Sequence, residues 1–260
     1  MRPIVFLTDY GTKDEFVGVC HGVIARVAPG AHVIDLTHSI ARQNVLQGAL
    51  VLGRSTRFLP EGAVLLAVVD PGVGSSRRAL AIETVSGALL VGPDNGLLSM
   101  AWDSLGGVAR AFEISNPEAM FEPVSKTFHG RDVFAPAAAH LAAGRDPEDL
   151  GPPVDPSTLE TLELPAAMVA PGKVGARVVG VDGFGNVQLN VKPADLERAG
   201  LGDRIKVAGR PVPKATTFAD VRDGALASMI DSQGYLSLVV NRGSAADTLG
   251  LSPGDAVVLE

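Results

Sequence analysis

Cysteine is all but absent from this chain. A single one, Cys20, stands in 260 residues, so no internal disulfide can form, and a reducing, cytoplasmic setting is expected. Positive charge is also thin. Lys and Arg number 22 against 29 Asp and Glu, a formal net charge of −7, and no segment gathers the cations into a stripe. Nucleic acid is therefore not expected as a partner, since phosphate binding needs a clustered basic surface. A small or cationic ligand suits an acidic protein better. No stretch of about 18 uninterrupted apolar residues occurs, so no membrane span is expected. The opening MRPIVFLTDYG has too short an apolar run for the core of a signal peptide. Internal repeats and low-complexity tracts are lacking too.

What is present is a well-packed globule, 46% hydrophobic and 20% charged. Its length is one at which a second domain arises. PIVFLTD (3–9), HVIDLT (32–37) and AVLLAVVD (63–70) look like strands covered on both faces. Helical patterns lie between them. One is capped by Asp14 and runs from Phe16 to Val27, and a second runs from about Gln43 to Phe58. Strands over 80–85, 89–96 and 108–114, a short helix near 97–105 and a helix over 132–144 complete the half. A proline-rich stretch, 151–172, reads as a linker or wrapping segment. Beyond it, ARVVGVD, NVQLNV, DRIKVA, YLSLVVN and DAVVLE read as short strands with glycine turns. The expected architecture is an α/β N-terminal domain with a largely parallel sheet (1–164) and a smaller all-β, barrel-like C-terminal domain (165–260).

In open α/β sheets, ligands bind beyond the carboxyl ends of the strands, and Asp9, Asp35 and Asp70 fall at or near such ends. VVDPGVGSSRR (68–78) is the first candidate. It lacks the lysine of a Walker loop and the third glycine of a dinucleotide fingerprint. What remains is Asp70, a rigid turn, and Arg77 seven residues on, which makes either a structural ion pair or a catalytic pair. TFHGRDVFAP (127–136) places His129 beside Gly130, ahead of a helix start with Asp132 as its cap. A histidine there is either structural or close to a ligand, whereas His21, His32, His38 and His140 read as structural or exposed. TDYGTKDEF (8–16) offers Asp9 and Asp14, carboxylates suited to a ribose diol or to capping. Asn95 sits in an ordinary Asp-Asn-Gly turn. In the C-terminal half, VDGFGNVQLN (181–190) carries Asp182, Phe184 and Asn186, and IDSQGYLSLVVNRGSAAD (230–247) carries Ser232 and Asn241. Phenylalanine between glycines suits stacking on a flat base, or is simply the buried aromatic of a hairpin.

Taken together, LTDYGTKD, VIDLTHSI, VVDPGVGSSRR, GPDNGLLS, TFHGRDVFAPAAAHLAAG, GNVQLN and DSQGYLSLVVNRGSAA occur in the order seen in the S-adenosylmethionine hydroxide adenosyltransferases. These are hydrolytic relatives of the fluorinases and chlorinases, and the resemblance spans essentially the whole chain. It implies attack of water or hydroxide on C5′ of S-adenosylmethionine, giving adenosine and L-methionine without cofactor or metal. It also implies a homotrimer with sites between the N-terminal domain of one subunit and the C-terminal domain of the next. By position, the family's Asp-Arg-His set falls on Asp70, Arg77 and His129. The ribose acid falls on Asp9, with Asp14 nearby and Phe128 lining the reaction side. Asp182 and Ser232 are placed to hold the methionine ends, and Phe184 and Asn186 to contact adenine, helped by backbone near Asn241 and Arg242. The halogenating branch carries tyrosine where Asp70 stands, threonine at Val73, and tyrosine and serine at His129-Gly130. An acid, a cation and an imidazole in their place favour water over halide.

Two other readings use the same residues. Asp9, Asp35, His38, Asp70, Asn95 and His129 would gather around a divalent ion in a metal-dependent hydrolase, although no tight ligand spacing such as H-E-x-x-H is present. A non-catalytic adenosine-nucleoside binding protein would use the same pocket without turnover.

Overall fold

Three strands, Ile4–Thr8 (β1), Val33–Thr37 (β2) and Val64–Val68 (β3), start the sheet of the first unit. Phe16–Val27 (α1) and Val45–Ser55 (α2) connect them. Ala79–Thr84 (β4), Leu89–Pro93 (β5), Ser99–Ser104 (α3), Val108–Glu113 (β6) and Ala135–Ala142 (α4) follow. The computed structural model describes residues 1–202 and 204–260. It divides into two units, Met1–Glu163 and Leu164–Glu260.

In the first unit, the six-stranded sheet of the described residues has the order β2-β1-β3-β5-β4-β6. The pairs β1/β2, β1/β3 and β3/β5 are parallel. Only β4 runs against its neighbours, because the few residues between it and β5 make a reversal and leave no length for a crossover. Side chains alternate between two buried layers. Ile4, Phe6, Val64 and Leu66 face α1 and α4, while Val5, Leu7, Leu65 and Ala67 face α2 and α3. This double burial is why the strands read as unbroken apolar runs. Cys20 belongs to the first layer, and burial pushes its thiol up to about 12, so it is inert packing.

Residues 151–158 wrap the β6 edge. Glu113 N–H donates to Pro152 O at 2.9 Å and Val154 N–H to Ala111 O at 2.8 Å, which covers an otherwise open strand. Two expected helix caps are not made. Glu15, not Asp14, precedes the first residue of α1, and it makes no side-chain cap. Asp132 lies inside a wide π-type turn, Gly130–Phe134, that starts the helical segment earlier than the apolar pattern indicates. Fully buried, it accepts from Ser125 N–H at 2.9 Å and pairs with Arg131 at 2.6 Å.

The second unit holds Met168–Ala170 (β7), Lys173–Val181 (β8), Val187–Leu189 (β9), Pro193–Ala199 (α5), Arg204–Val207 (β10) and Arg210–Pro213 (β11). Leu226–Ile230 (β12), Leu236–Val240 (β13), Ala245–Leu249 (α6) and Ala256–Leu259 (β14) complete it. Among the described residues the order is β11-β10-β14-β8-β9-β13-β12, with β7 on β8. A bridge between Lys214 and Ser228 joins the two ends of that path, so the antiparallel sheet is a nearly closed barrel around Val174, Leu189, Val212 and Leu238. The first residue of the DRIKVA stretch, Asp203, lies outside the described residues.

Candidate active site

Parallel β1 and β3 end on one rim, so Asp9 and Asp70 emerge side by side. The turn after Asp70 is wound by its own hydrogen bonds. Val73 N–H donates to Asp70 O at 3.3 Å, Ser75 N–H to Gly72 O at 3.0 Å, and Arg77 N–H to Ser75 Oγ at 3.2 Å. Gly74 adopts φ +78°, which other residues rarely adopt. The winding returns the Arg77 guanidinium to Asp70. Arg77 Nε donates to Oδ1 and Oδ2 at 3.1 and 3.0 Å, and Nη2 donates to Oδ2 at 2.6 Å.

The same Nη2 lies 2.8 Å from Nδ1 of His129. A guanidinium only donates, so Nδ1 accepts, and the neutral ring carries its proton on Nε2. Burial, then the Arg77 charge, lowers the His129 pKa, against the pull of Asp70, Asp132 and the Ser125 backbone. Side-chain exposure is 10% for Arg77 and 6% for Asp70, so this is a buried ion pair with a neutral imidazole attached. The guanidinium also stacks over Phe134 at 5.1 Å. A cation held between Asp70 and His129 makes the trio a poor metal ligand set and a good device for orienting and polarising a small nucleophile.

A cavity of about 210 Å³ opens onto Asp70 and His129 of this trio and is also lined by Asp9 and Phe128. Asp14 is not among its lining residues. Tyr10, Phe16 and Gln43, none of them read from the sequence as a site residue, are among the others that line it. Tyr10, Phe16 and Phe128 form an aromatic wall with ring centroids 5.2–6.0 Å apart, Phe128 standing edge-to-face to the other two. Burial raises the Tyr10 pKa well above its ordinary value, so its hydroxyl keeps its proton. A β-carbon on Gly130 would collide with that hydroxyl, which accounts for the glycine beside His129. Gln43 has φ +62°, and its N–H donates to Asp9 Oδ2 at 2.8 Å. Strain of this kind collects at functional sites, but nothing in the local sequence announces it. Asn95 is structural: its Nδ2 donates to Val69 O at 2.9 Å and its Oδ1 accepts from Leu97 N–H at 3.1 Å. Asp35 and His38 lie together with His21 rather than with the trio.

In the second unit, Phe184, Asn186, Asn241 and Arg242 line one open cavity of about 440 Å³, together with Phe218 and Ser244. Asp182 folds this loop. Its Oδ1 accepts from the N–H groups of Phe184 and Asn186 at 2.9 Å each, and its Oδ2 accepts from Asn186 Nδ2 at 2.8 Å. Asn241 is anchored through Nδ2 to Val221 O at 2.7 Å, and Arg242 pairs with Asp223 at 3.0 Å. Ser232 lies in the turn that leads into β13, whereas Asn241 follows the end of that strand.

Comparison with known proteins agrees over both units. The chain is 50% identical over 254 residues to the (R)-S-adenosyl-L-methionine hydrolase of Salinispora arenicola, covering 97% of this chain and 95% of that one. It is 44% identical over 266 residues to the hydrolase of the same name from Thermus thermophilus, covering both chains fully, at 100%. The crystal structure of an uncharacterized conserved protein from Thermotoga maritima superposes with a TM-score of 0.88 at 38% identity, over 98% of this chain and 99% of that one. Residues 4–151 match the SAM hydroxide adenosyltransferase N-terminal domain and residues 176–258 the C-terminal domain, so the chain belongs to the SAM hydroxide adenosyltransferase family.

Proposed function

We propose that this chain hydrolyses S-adenosylmethionine to adenosine and L-methionine by attack of water on C5′. The observation that carries the reading is the Asp70–Arg77–His129 clamp, whose Asp70 and His129 line a pocket that also contains Asp9 while Arg77 bridges them. The leaving group is a neutral thioether departing from a sulfonium, so no general acid is required. The difficulty is the nucleophile, because bulk water has a pKa of about 15.7. With His129 Nδ1 engaged by Arg77, Asp70 is the group that takes the proton of the attacking water. Arg77 stabilises the developing hydroxide, and His129 holds Arg77 in place. The C5′–O bond forms as the C5′–S bond breaks, its electron pair passing to sulfur, and the water proton leaves through Asp70 to solvent. Alignment of water with the C5′–S bond can supply about 7–11 kcal/mol.

Asp9, with Asp14 near it, takes the ribose hydroxyls, and Phe128 covers the reacting carbon. Phe184, Asn186 and the backbone at Asn241 and Arg242 hold the adenine, while Asp182 and Ser232 take the charged ends of the methionine. The site is completed between the N-terminal unit of one subunit and the C-terminal unit of another, in a cytoplasmic homotrimer. Two observations support a shared site. The first-unit cavity, about 210 Å³, is below the roughly 300–1,000 Å³ usual for a ligand of this size, and Phe184 is 81% exposed within its own chain.

Chelator-treated protein incubated with S-adenosylmethionine in oxygen-18 water tests the reading. Adenosine labelled at its 5′ oxygen, with unlabelled methionine, is the expected result. Absence of both products, or turnover only after a metal is returned, overturns it.

A further inference from the structure

We propose that His21, Asp35 and His38 form a site for a transition-metal dication of the zinc class, apart from the clamp. The three residues come from α1, from β2 and from the loop after β2, and their candidate ligand atoms all lie within 4.8 Å of one another. His21 Nε2 is 2.9 Å and His38 Nε2 3.0 Å from the same oxygen, Asp35 Oδ1. Yet the two contacts differ. His21 is hydrogen-bonded to that oxygen, whereas His38 Nε2, among the described residues, has no hydrogen-bond partner despite its short distance. The oxygen therefore lies off the axis along which the His38 nitrogen points.

That geometry is costly without a metal and natural with one. His38 is only 6% exposed, and a buried polar atom left unsatisfied is destabilising. In a metal site, each ligand's lone pair points at the ion and not at the neighbouring ligand. Tetrahedral zinc with ligands at about 2.0–2.2 Å separates its ligand atoms by about 3.3 Å, so the two contacts to Asp35 need to open by only a few tenths of an ångström.

The surroundings orient the ligands accordingly. His38 Nδ1 lies 2.9 Å from Thr8 Oγ1. With the proton on Nδ1 donated to that oxygen, Nε2 presents a lone pair, the usual outer support of a metal-bound imidazole. Phe6 packs edge-on to the His38 ring at 4.9 Å and fixes its plane. The His21 and Asp35 side chains are 35% and 45% exposed, which leaves an entry path and an open fourth position for water. Two imidazoles and one carboxylate suit zinc, nickel or copper rather than magnesium or calcium, which prefer all-oxygen shells. On binding, the His21 Nε2 proton moves to Nδ1 of the same ring or to solvent.

The test uses whole, chelator-stripped protein titrated with Zn²⁺ by calorimetry, and with Co²⁺ followed by its visible d–d absorption. One equivalent per chain is expected. His21→Ala and Asp35→Asn should each weaken binding at least about 100-fold, while Asp70→Asn, which alters the clamp, leaves it unchanged. His21 lies on a partly exposed helix face, so circular dichroism of His21→Ala should match the parent. Unchanged affinity in His21→Ala, loss of binding in Asp70→Asn, or no heat and no cobalt bands at tenfold excess of metal would each overturn the site.

Discussion

Arg77 Nη2 donates to His129 Nδ1 across 2.8 Å, joining two loops 52 residues apart in sequence. The contact exists only while the imidazole is neutral, because a protonated ring has no lone pair to accept with. Activity is therefore expected to be level above neutrality and to fall on the acid side, as protonation of His129 releases Arg77. Burial and the arginine charge lower the His129 pKa from its ordinary 6.5, so the fall should be centred below that value. Stability follows the same sign. Between the lowered pKa and about 6.5 the unfolded chain binds more protons, so this contribution is complete above that window and lost as pH falls through it. A pH profile of kcat/KM, read beside urea unfolding at each pH, checks both.

The Asp70–Arg77 pair is buried on both sides, so removing either partner affects the fold as well as the chemistry. Arg77→Ala leaves a carboxylate unpaired and should cost about 3–5 kcal/mol in denaturant unfolding. Arg77→Lys keeps the charge but loses the fork that reaches Asp70 and His129 together. It should lose less stability, with kcat down about 10²–10³-fold. Asp70→Asn should lower kcat by about 10²–10⁴-fold with KM little changed. Equal kcat for wild type and Asp70→Asn would end the assignment of Asp70 as proton acceptor.

Gly74 aligns these loops. Its φ is +78°, and a β-carbon there would collide with the carbonyl oxygen of Lys126, three residues ahead of His129. Gly74→Ala should lose about 1–2 kcal/mol from the left-handed backbone alone, and further stability from the collision with a main-chain atom that has no rotamer to retreat into. Gly72, by contrast, has an ordinary φ and only van der Waals contacts at 3.4 Å or more for an added β-carbon, so Gly72→Ala should unfold close to the parent.

How much of this was legible in the sequence depends on how local the cause is. Strands β1 and β3 were readable because each is buried on both faces and carries an unbroken Val, Ile and Leu run. β11 was not, since Arg-Pro-Val-Pro (210–213) reads as a breaker. The prolines are tolerated because this strand lies at one end of the sheet path. Asp132 looked like a cap because it stands just ahead of an apolar run, but the helical segment opens two residues earlier and takes it into the interior. At the site, the spacing of Asp70 and Arg77 fitted a structural pair and a catalytic one equally. Only the arrival of His129 from a distant loop distinguishes a three-membered clamp, and that contact has no local signature. Gln43 and Tyr10 went unnoticed for the same reason, as their roles rest on Asp9 and Gly130 across the rim.

Phe184 provides the cleanest separation of binding from folding. It is 81% exposed and supports no core, so Phe184→Ala should change stability by no more than about 0.5 kcal/mol. If its ring stacks on adenine, truncation should remove about 1–3 kcal/mol of binding, raising KM roughly 5- to 150-fold while kcat at saturation changes little. Phe128 makes the opposite control. It packs against Tyr10 and Phe16, so Phe128→Ala should lose stability and kcat together. An unchanged KM in Phe184→Ala would end the assignment of this ring to the adenine.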